Sequence, residues 1–312
     1  ARNKFEFRVS CFETCDSMLT LLPQAIIDGL LLGGIYLTVS IGFSLAYGVL
    51  HIIDFAVGEW IMLGAFLGLY LTAWTGWDAM FFLPAVFVVF AVVGWFTQPL
   101  IQRVTSGAKG RPVLMALVFT FGLALTFRGA AQTVFGIFTH SLPTELAAGS
   151  WYWELGPFMM TIPLVRLAGL IYALAITVGL TYLLKHTDLG LAIRAVAQHK
   201  DAAGLMGVNL QRTNAVVYGL YVGISAMTGV FIGAIISLNS GMGPDLSLFA
   251  FFVVVLAGMG YLPGVPWASF LLGLIQSFFL IFFNPSWTLL AVFTVLFLIL
   301  LVSPTGLFRR GV

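Results

Sequence analysis

The sequence predicts an all-α fold: a polytopic membrane bundle of about eight transmembrane helices, some of them discontinuous. Three observations carry this. Of 312 residues, 60% are apolar and only 8% charged, whereas soluble domains carry about 25% charged residues. The few charges are gathered into short segments between long apolar runs. Glycine-rich strings such as "GLLLGGIYLTVSIGFSLAYG" and "LAGMGYLPGVPWASFLLG" interrupt those runs. A net charge of +2 leaves no basic surplus for nucleic acid.

Residues 1–17 are set apart as an N-terminal tail, and 18–312 as one membrane domain. The tail, "ARNKFEFRVSCFETCDS", lacks the continuous apolar stretch of a signal peptide, and Met18 offers an alternative start. Cys11 and Cys15 stand four apart without further ligands and are expected to be silent. A crossing helix needs roughly 20 mostly apolar residues. That length is met at 22–48, 55–75, 79–98, 113–135, 162–184 and 213–237, by a short pair at 246–262 and 264–283, and at 287–303. Basic residues mark one side of these spans: Arg103, Lys109 and Arg111, then Lys185, Arg194, Lys200 and Arg212, then Arg309 and Arg310. The excess of Lys and Arg in cytoplasmic loops makes that side, including the C-terminus, cytoplasmic. The other side holds the 136–161 loop with Glu145, Glu154 and an interfacial Trp151, Tyr152 and Trp153. This arrangement places the N-terminus outside, where Arg2, Lys4 and Arg8 run against the rule. The glycine strings read equally as close helix packing or as helix breaks lining a path. No period repeats clearly enough to mark an internal duplication.

Charge inside a bilayer costs at least about 2.5–3.5 kcal/mol, so each intramembrane ionisable group is a candidate. Asp28 and Arg128 both lie roughly 10 Å inside the outer ends of their helices at 1.5 Å per residue. Equal depth and opposite sign predict a pair, either a static brace or an outer gate. In "HIIDFAVGEW" (51–60), Asp54 is expected to cap the second span, and Glu59 to gain from the helix dipole in its opening turns. On that account neither charge needs to reach the bilayer centre.

The longest basic connection, 187–212, is not linker-like. Thr187 or Asp188 can cap a helix in which Arg194, Gln198 and Asp201 share a face at i, i+4 and i+7. Ala195, Ala202 and Met206 form a small apolar face. Such a helix suits the groove of a partner, the alternative being a helix resting on the membrane surface. Within it, "DAAGLMG" (201–207) resembles the E-A-A-x-x-x-G loop of bacterial ATP-binding-cassette importer permeases, with Asp for Glu. The longer "LGLAIRAVAQHKDAAGLMGVN" is similar to the cytoplasmic signature of the branched-chain amino acid permeases of that class. "DFAVGEWIMLGAF", "RGAAQTVFG" and "VVVLAGMGYLPG" resemble further segments of the same family, so the likeness runs from about residue 20 to 307. Asp54 and Val57 depart from the family's usual Asn and His, and the Leu-Pro that closes the broader loop pattern is absent, but Gly58 and Glu59 match. By this resemblance 51–60 looks like the cytoplasmic turn into a broken second helix, with Glu59 the residue that matters.

The resemblance implies a multi-pass permease of the bacterial inner membrane that carries branched-chain, large neutral amino acids. It also implies a second related permease subunit, two cytoplasmic ATPase subunits and a periplasmic amino-acid-binding protein. Arg194, Gln198 and Asp201 would touch the ATPase, and Ala202, Ala203 and Gly207 would let the surfaces meet within the coupling loop 185–212. Ala203→Trp is therefore expected to uncouple hydrolysis from uptake without unfolding the chain. Glu59, Asn239 and Gly241 are assigned to the wall of the path, against the reading of "LNSGMGPD" (238–245) as a plain turn. No G-x-x-x-x-G-K-[ST] string occurs, so ATP is expected on the partners. No catalytic, cofactor-binding or metal cluster emerges from the sequence, and the chain is expected not to be an enzyme by itself. A permease for urea or short-chain amides, and an ion-coupled secondary transporter using Asp28, Glu59 and Arg128, remain the alternatives.

Overall fold

The computed structural model describes residues 2–107, 112–155, 158–283, 285–303 and 305–308. The side chains of Arg2, Lys4, Arg8, Cys11, Cys15, Met18, Lys109, Arg111, Trp153, Glu154, Arg309 and Arg310, named above, lie outside those described. Among the described residues, seven helices are long and apolar enough to cross a membrane, and two shorter apolar helices accompany them.

The first helix, α1 (Arg2–Leu50), is continuous through the segment read as a separate tail and is membrane-like over Leu21–Leu50. It enters beside an antiparallel hairpin, β1 (Ser150–Leu155) and β2 (Phe158–Pro163). There the Gln24 amide exchanges two 3.0 Å hydrogen bonds with the backbone of Thr161. It leaves at the opposite face, where Gly48 meets Gly260. In chain order follow α2 (Val57–Thr75), α3 (Leu83–Gly107), α4 (Pro112–Phe135), a single turn α5 (Glu145–Ala148), and α6 (Leu164–His186). Then come α7 (Asp188–Gln198), α8 (Lys200–Leu205), α9 (Leu210–Ile235), α10 (Gly243–Ala257), α11 (Val265–Phe282) and α12 (Pro285–Val302). The two short helices α7 and α8 mark the face opposite the hairpin.

The architecture repeats in the same order with inverted orientation. A long helix, an extended segment, a helix that starts inside the bundle, a 3₁₀ turn and two further helices occur once as α1, 51–56, α2, Ala79–Phe82, α3 and α4. They recur as α9, 236–242, α10, Leu262–Gly264, α11 and α12. The two sets traverse the bundle in opposite directions and cross-pack, α1 along α11 and α9 along α3. Glycine permits both approaches: a Cβ on Gly33 would meet the Phe270 Cα at 2.8 Å, and one on Gly219 the Ala91 carbonyl oxygen at 2.7 Å. Inverted repeats with helices broken at mid-depth are the usual frame of a transport path. This repeat is one of architecture, which no clear sequence period marked. "GLLLG" (29–33) and "GLYVG" (219–223) are its trace in the sequence. The short pair expected at 246–262 and 264–283 is found as two helices, α10 and α11, the first preceded by the extended 236–242 segment.

Non-helical backbone at membrane depth is tolerated only where protein satisfies its polar groups, and both extended segments meet that condition. In the first, Thr120 of α4 accepts from the Phe55 N–H and donates to the Ile53 carbonyl, both at 3.3 Å. Ser247 of α10 donates to the Phe55 carbonyl at 3.0 Å and accepts from the Gly58 N–H at 2.9 Å. In the second, Leu238 and His140 exchange backbone bonds of 2.7 and 2.8 Å, and Ser240 donates to the Gly136 carbonyl at 2.9 Å.

Candidate functional site

The two half-depth helices begin against each other. Gly58, in the first turn of α2, lies in backbone contact with Gly243 at the start of α10, and a Gly243 side chain would occupy the space filled by the Glu59 carboxylate. This crossing sits well inside the bundle. Gly229 of α9 packs there on Ile61, six residues or about 9 Å from the end of α9. Glu59 is thus buried at depth, 3% exposed, and not held near a membrane surface as the helix-start argument expected. The positive end of α10 lies against it, a favourable place for a carboxylate.

The nearest cation is Arg128 of α4, its Nε 3.6 Å from Glu59 Oε1. The pair is close but not hydrogen-bonded, since Arg128 Nε and Glu59 Oε2 are both buried without a hydrogen-bond partner. Arg128 is 29% exposed along the outer surface of α4. Asp245, in the first turn of α10, is exposed as well. Two charges open to the outside of a lone chain at this depth are costly against lipid. They suit a polar or protein-covered surface.

Asp54 does not cap α2. It lies in the extended segment, 2% exposed, and its carboxylate accepts from the Ala56 N–H at 2.8 Å and from the Tyr218 hydroxyl of α9 at 2.7 Å. It thereby fixes where the segment turns into α2.

Asp28 and Arg128 are not brought together. Asp28 accepts from Arg166 of α6 at 3.3 Å and from Gln24 at 2.9 Å. Arg166 lies within the span read at 162–184, and depth alone does not choose between it and Arg128. Asp28, Gln24, Arg166 and Thr161 bind α1 to α6 and the hairpin. Asp28→Asn is expected to cost about 0.2–1 kcal/mol, the range for a partly exposed pair, and to leave transport rates unchanged. Thermal unfolding of the purified chain together with an uptake assay checks this, and loss of uptake at unchanged stability would move Asp28 into the path.

Asn239 and Gly241 form a turn: the Asn239 side chain accepts from the Gly241 N–H at 2.9 Å. They sit in the segment that leads to Gly243, beside an open cleft of about 770 Å³ on the hairpin face. Asp78 and Glu145 are the charged groups of its lining.

On the opposite face, the helix expected across 188–206 is two helices. The backbone is extended at His199, and Thr187 caps α7 by accepting from the Gly190 N–H at 3.0 Å. Ile193, Val196 and Ala203 are buried against the bundle, so Ala203 is no contact surface. A tryptophan there would disrupt packing, which corrects the expectation that Ala203→Trp acts on coupling alone. What α8 presents outward is Asp201, Ala202, Leu205 and Met206, the last two 89% and 86% exposed, followed by an exposed left-handed Gly207. Gln198 is exposed on α7, whereas Arg194 lines a groove beside α6.

A profile of the family described as "Branched-chain amino acid transport system / permease component" matches residues 25–301. The chain is 27% identical over 298 residues to the Escherichia coli "High-affinity branched-chain amino acid transport system permease protein LivH", covering 92% of this chain and 95% of that protein. It is 27% identical over 293 residues to the corresponding permease protein BraD of Pseudomonas aeruginosa, with the same coverage. A probable permease protein LivH of Methanocaldococcus jannaschii is 22% identical over 264 residues, 81% of this chain and 80% of that one. No solved structure matches the chain significantly.

Proposed function

This chain belongs to the branched-chain amino acid transport permease family, and from that membership we propose that it is the membrane-spanning subunit of an ATP-driven importer of branched-chain, large neutral amino acids. It works with a second related permease subunit, two ATPase subunits that bind the ATP, and an amino-acid-binding protein on the hairpin side. The α7–α8 face is cytoplasmic. In support, Lys185, Arg194, Lys200 and Arg212 cluster there.

The observation that carries the reading is Leu205 and Met206, standing almost fully exposed on a short helix anchored in the bundle through Ala203. An adjacent apolar pair in water at the tip of a rigid element marks a protein contact. The ATPase presses on it, and α7 and α8 pass the displacement to α6 and α9, against which they are packed. The second permease subunit covers α4, which removes the cost of Arg128 facing lipid. The path then runs from the hairpin-face cleft past Asn239 and Gly241 to the Glu59–Arg128 pair.

The test is leucine uptake into proteoliposomes carrying the whole assembly. Uptake should require ATP, and Leu205→Glu with Met206→Glu should lower it by about tenfold or more, the effect of losing one central apolar contact. The variant permease should remain folded. Uptake by the isolated chain, or urea carried in place of leucine, would overturn the proposal.

A further inference from the structure

A groove of about 470 Å³ lies between α6, α7 and the turn that joins α10 to α11. It falls within the ~300–1,000 Å³ typical of small-molecule sites. Ile41, Leu180, Leu184, Leu262 and Pro266 make its walls apolar, and two cations, Lys185 and Arg194, stand on its rim. No carboxylate lines it. Among the described residues neither cation takes part in an ion pair, and Arg194 reaches only the Gly190 carbonyl, through Nε at 3.4 Å. Lys185 lies in the last turn of α6, so the charged rim marks the level where that helix leaves the membrane, and the apolar part runs back along it past Thr181 and Thr177. A slot with greasy walls within the span and cations where the span ends matches an amphiphile with an anionic head.

We propose that this groove binds one anionic phospholipid of the cytoplasmic leaflet, its phosphate on Lys185 and Arg194 and an acyl chain along α6. The assignment rests on the sidedness proposed above. Basic pockets between helices at the cytoplasmic end are the form such sites take. Arg194 thereby receives a role other than contact with the ATPase. The lipid sits under α7, the helix that carries α8, and against the turn with left-handed Gly258 and Gly260. It therefore wedges the coupling element against the α10–α11 break.

Lipid retention decides the matter and does not depend on which solute is carried, so a failed uptake assay leaves it standing. The assembly is purified from membranes containing phosphatidylglycerol and phosphatidylcholine, and its bound lipids are weighed by native mass spectrometry. Phosphatidylglycerol should be retained selectively. Lys185→Gln with Arg194→Gln should lower that retention about thirtyfold, two cations at the surface-potential scale. Thr181→Trp, which fills the groove and leaves both cations in place, should lower it too, and either variant alone suffices if the other fails to fold. Inorganic phosphate at millimolar concentration should not displace the lipid. Equal retention of both lipids, retention unchanged in the folded variants, or displacement by phosphate would each overturn the proposal.

Discussion

Gly58→Ala is expected to destabilise the chain more than any other single methyl added to it. The new Cβ would overlap the Gly243 carbonyl and approach the Ser247 Oγ to 2.6 Å. Neither neighbour can yield cheaply. Ser247 is fixed by donating to the Phe55 carbonyl and accepting from the Gly58 N–H itself, so moving α10 away leaves two buried backbone groups without partners. Overpacking costs about 1–3 kcal/mol, and each of the two unsatisfied groups about 1–3 kcal/mol more, giving a total of roughly 3–9 kcal/mol. The purified protein should melt about 10 °C or more below the wild type, with loss of yield. Gly243→Ala should be milder, because what it displaces is the end of the Glu59 side chain. Gly129→Ala, on a face of α4 with nothing within 4 Å of the added carbon, should fall within about 0.5 kcal/mol of wild type. If Gly58→Ala were as harmless as Gly129→Ala, the two half-depth helices would not meet as described.

The spans were legible because membrane length and apolarity are local properties. Residues 113–135 and 264–283 were placed within two residues of the helices Pro112–Phe135 and Val265–Phe282. The crossing of α2 and α10 was not legible. It joins Gly58 to Gly243, and in a membrane protein an apolar run shows no periodicity to say which face meets which neighbour. Glu59 was singled out by its charge, yet its depth stayed open between a helix start and a broken helix, because a helix that opens inside the bundle has the same capping pattern as one that opens in a loop. The break at His199 also left no mark: no Pro or Gly interrupts Gln198–Asp201, and the spacing of Arg194, Gln198 and Asp201 is the same with or without it. Leu205 and Met206 were legible only in part. Met206 has a place in the apolar face with Ala195 and Ala202, Leu205 has none, and only the burial of Ala203 shows which side the helix turns inward.

Glu59→Gln and Arg128→Gln are expected to fail differently, and the difference separates a moving part from a brace. At 3.6 Å the attraction is about 5 kcal/mol at an effective dielectric near 20, set against the desolvation of a carboxylate that is 3% exposed. Removing Arg128 leaves that carboxylate buried and uncompensated, a loss of about 3–5 kcal/mol, so Arg128→Gln should assemble poorly. In the lone chain, removing the charge of Glu59 leaves an arginine that is already open on one side, and the cost there should stay within about 1 kcal/mol. Because the contact lacks a hydrogen bond and lies where two half-helices meet, it can part as the helices separate. Glu59→Gln should therefore assemble and support ATP hydrolysis in the complex while uptake falls about tenfold, a loss of about 1.4 kcal/mol in coupling. The double variant should recover assembly relative to Arg128→Gln alone, a non-additivity expected of partners in contact, and should not recover uptake. A double variant that assembles and transports at the wild-type rate would reduce the pair to a structural tie and leave the path to be sought along the exposed face of α4.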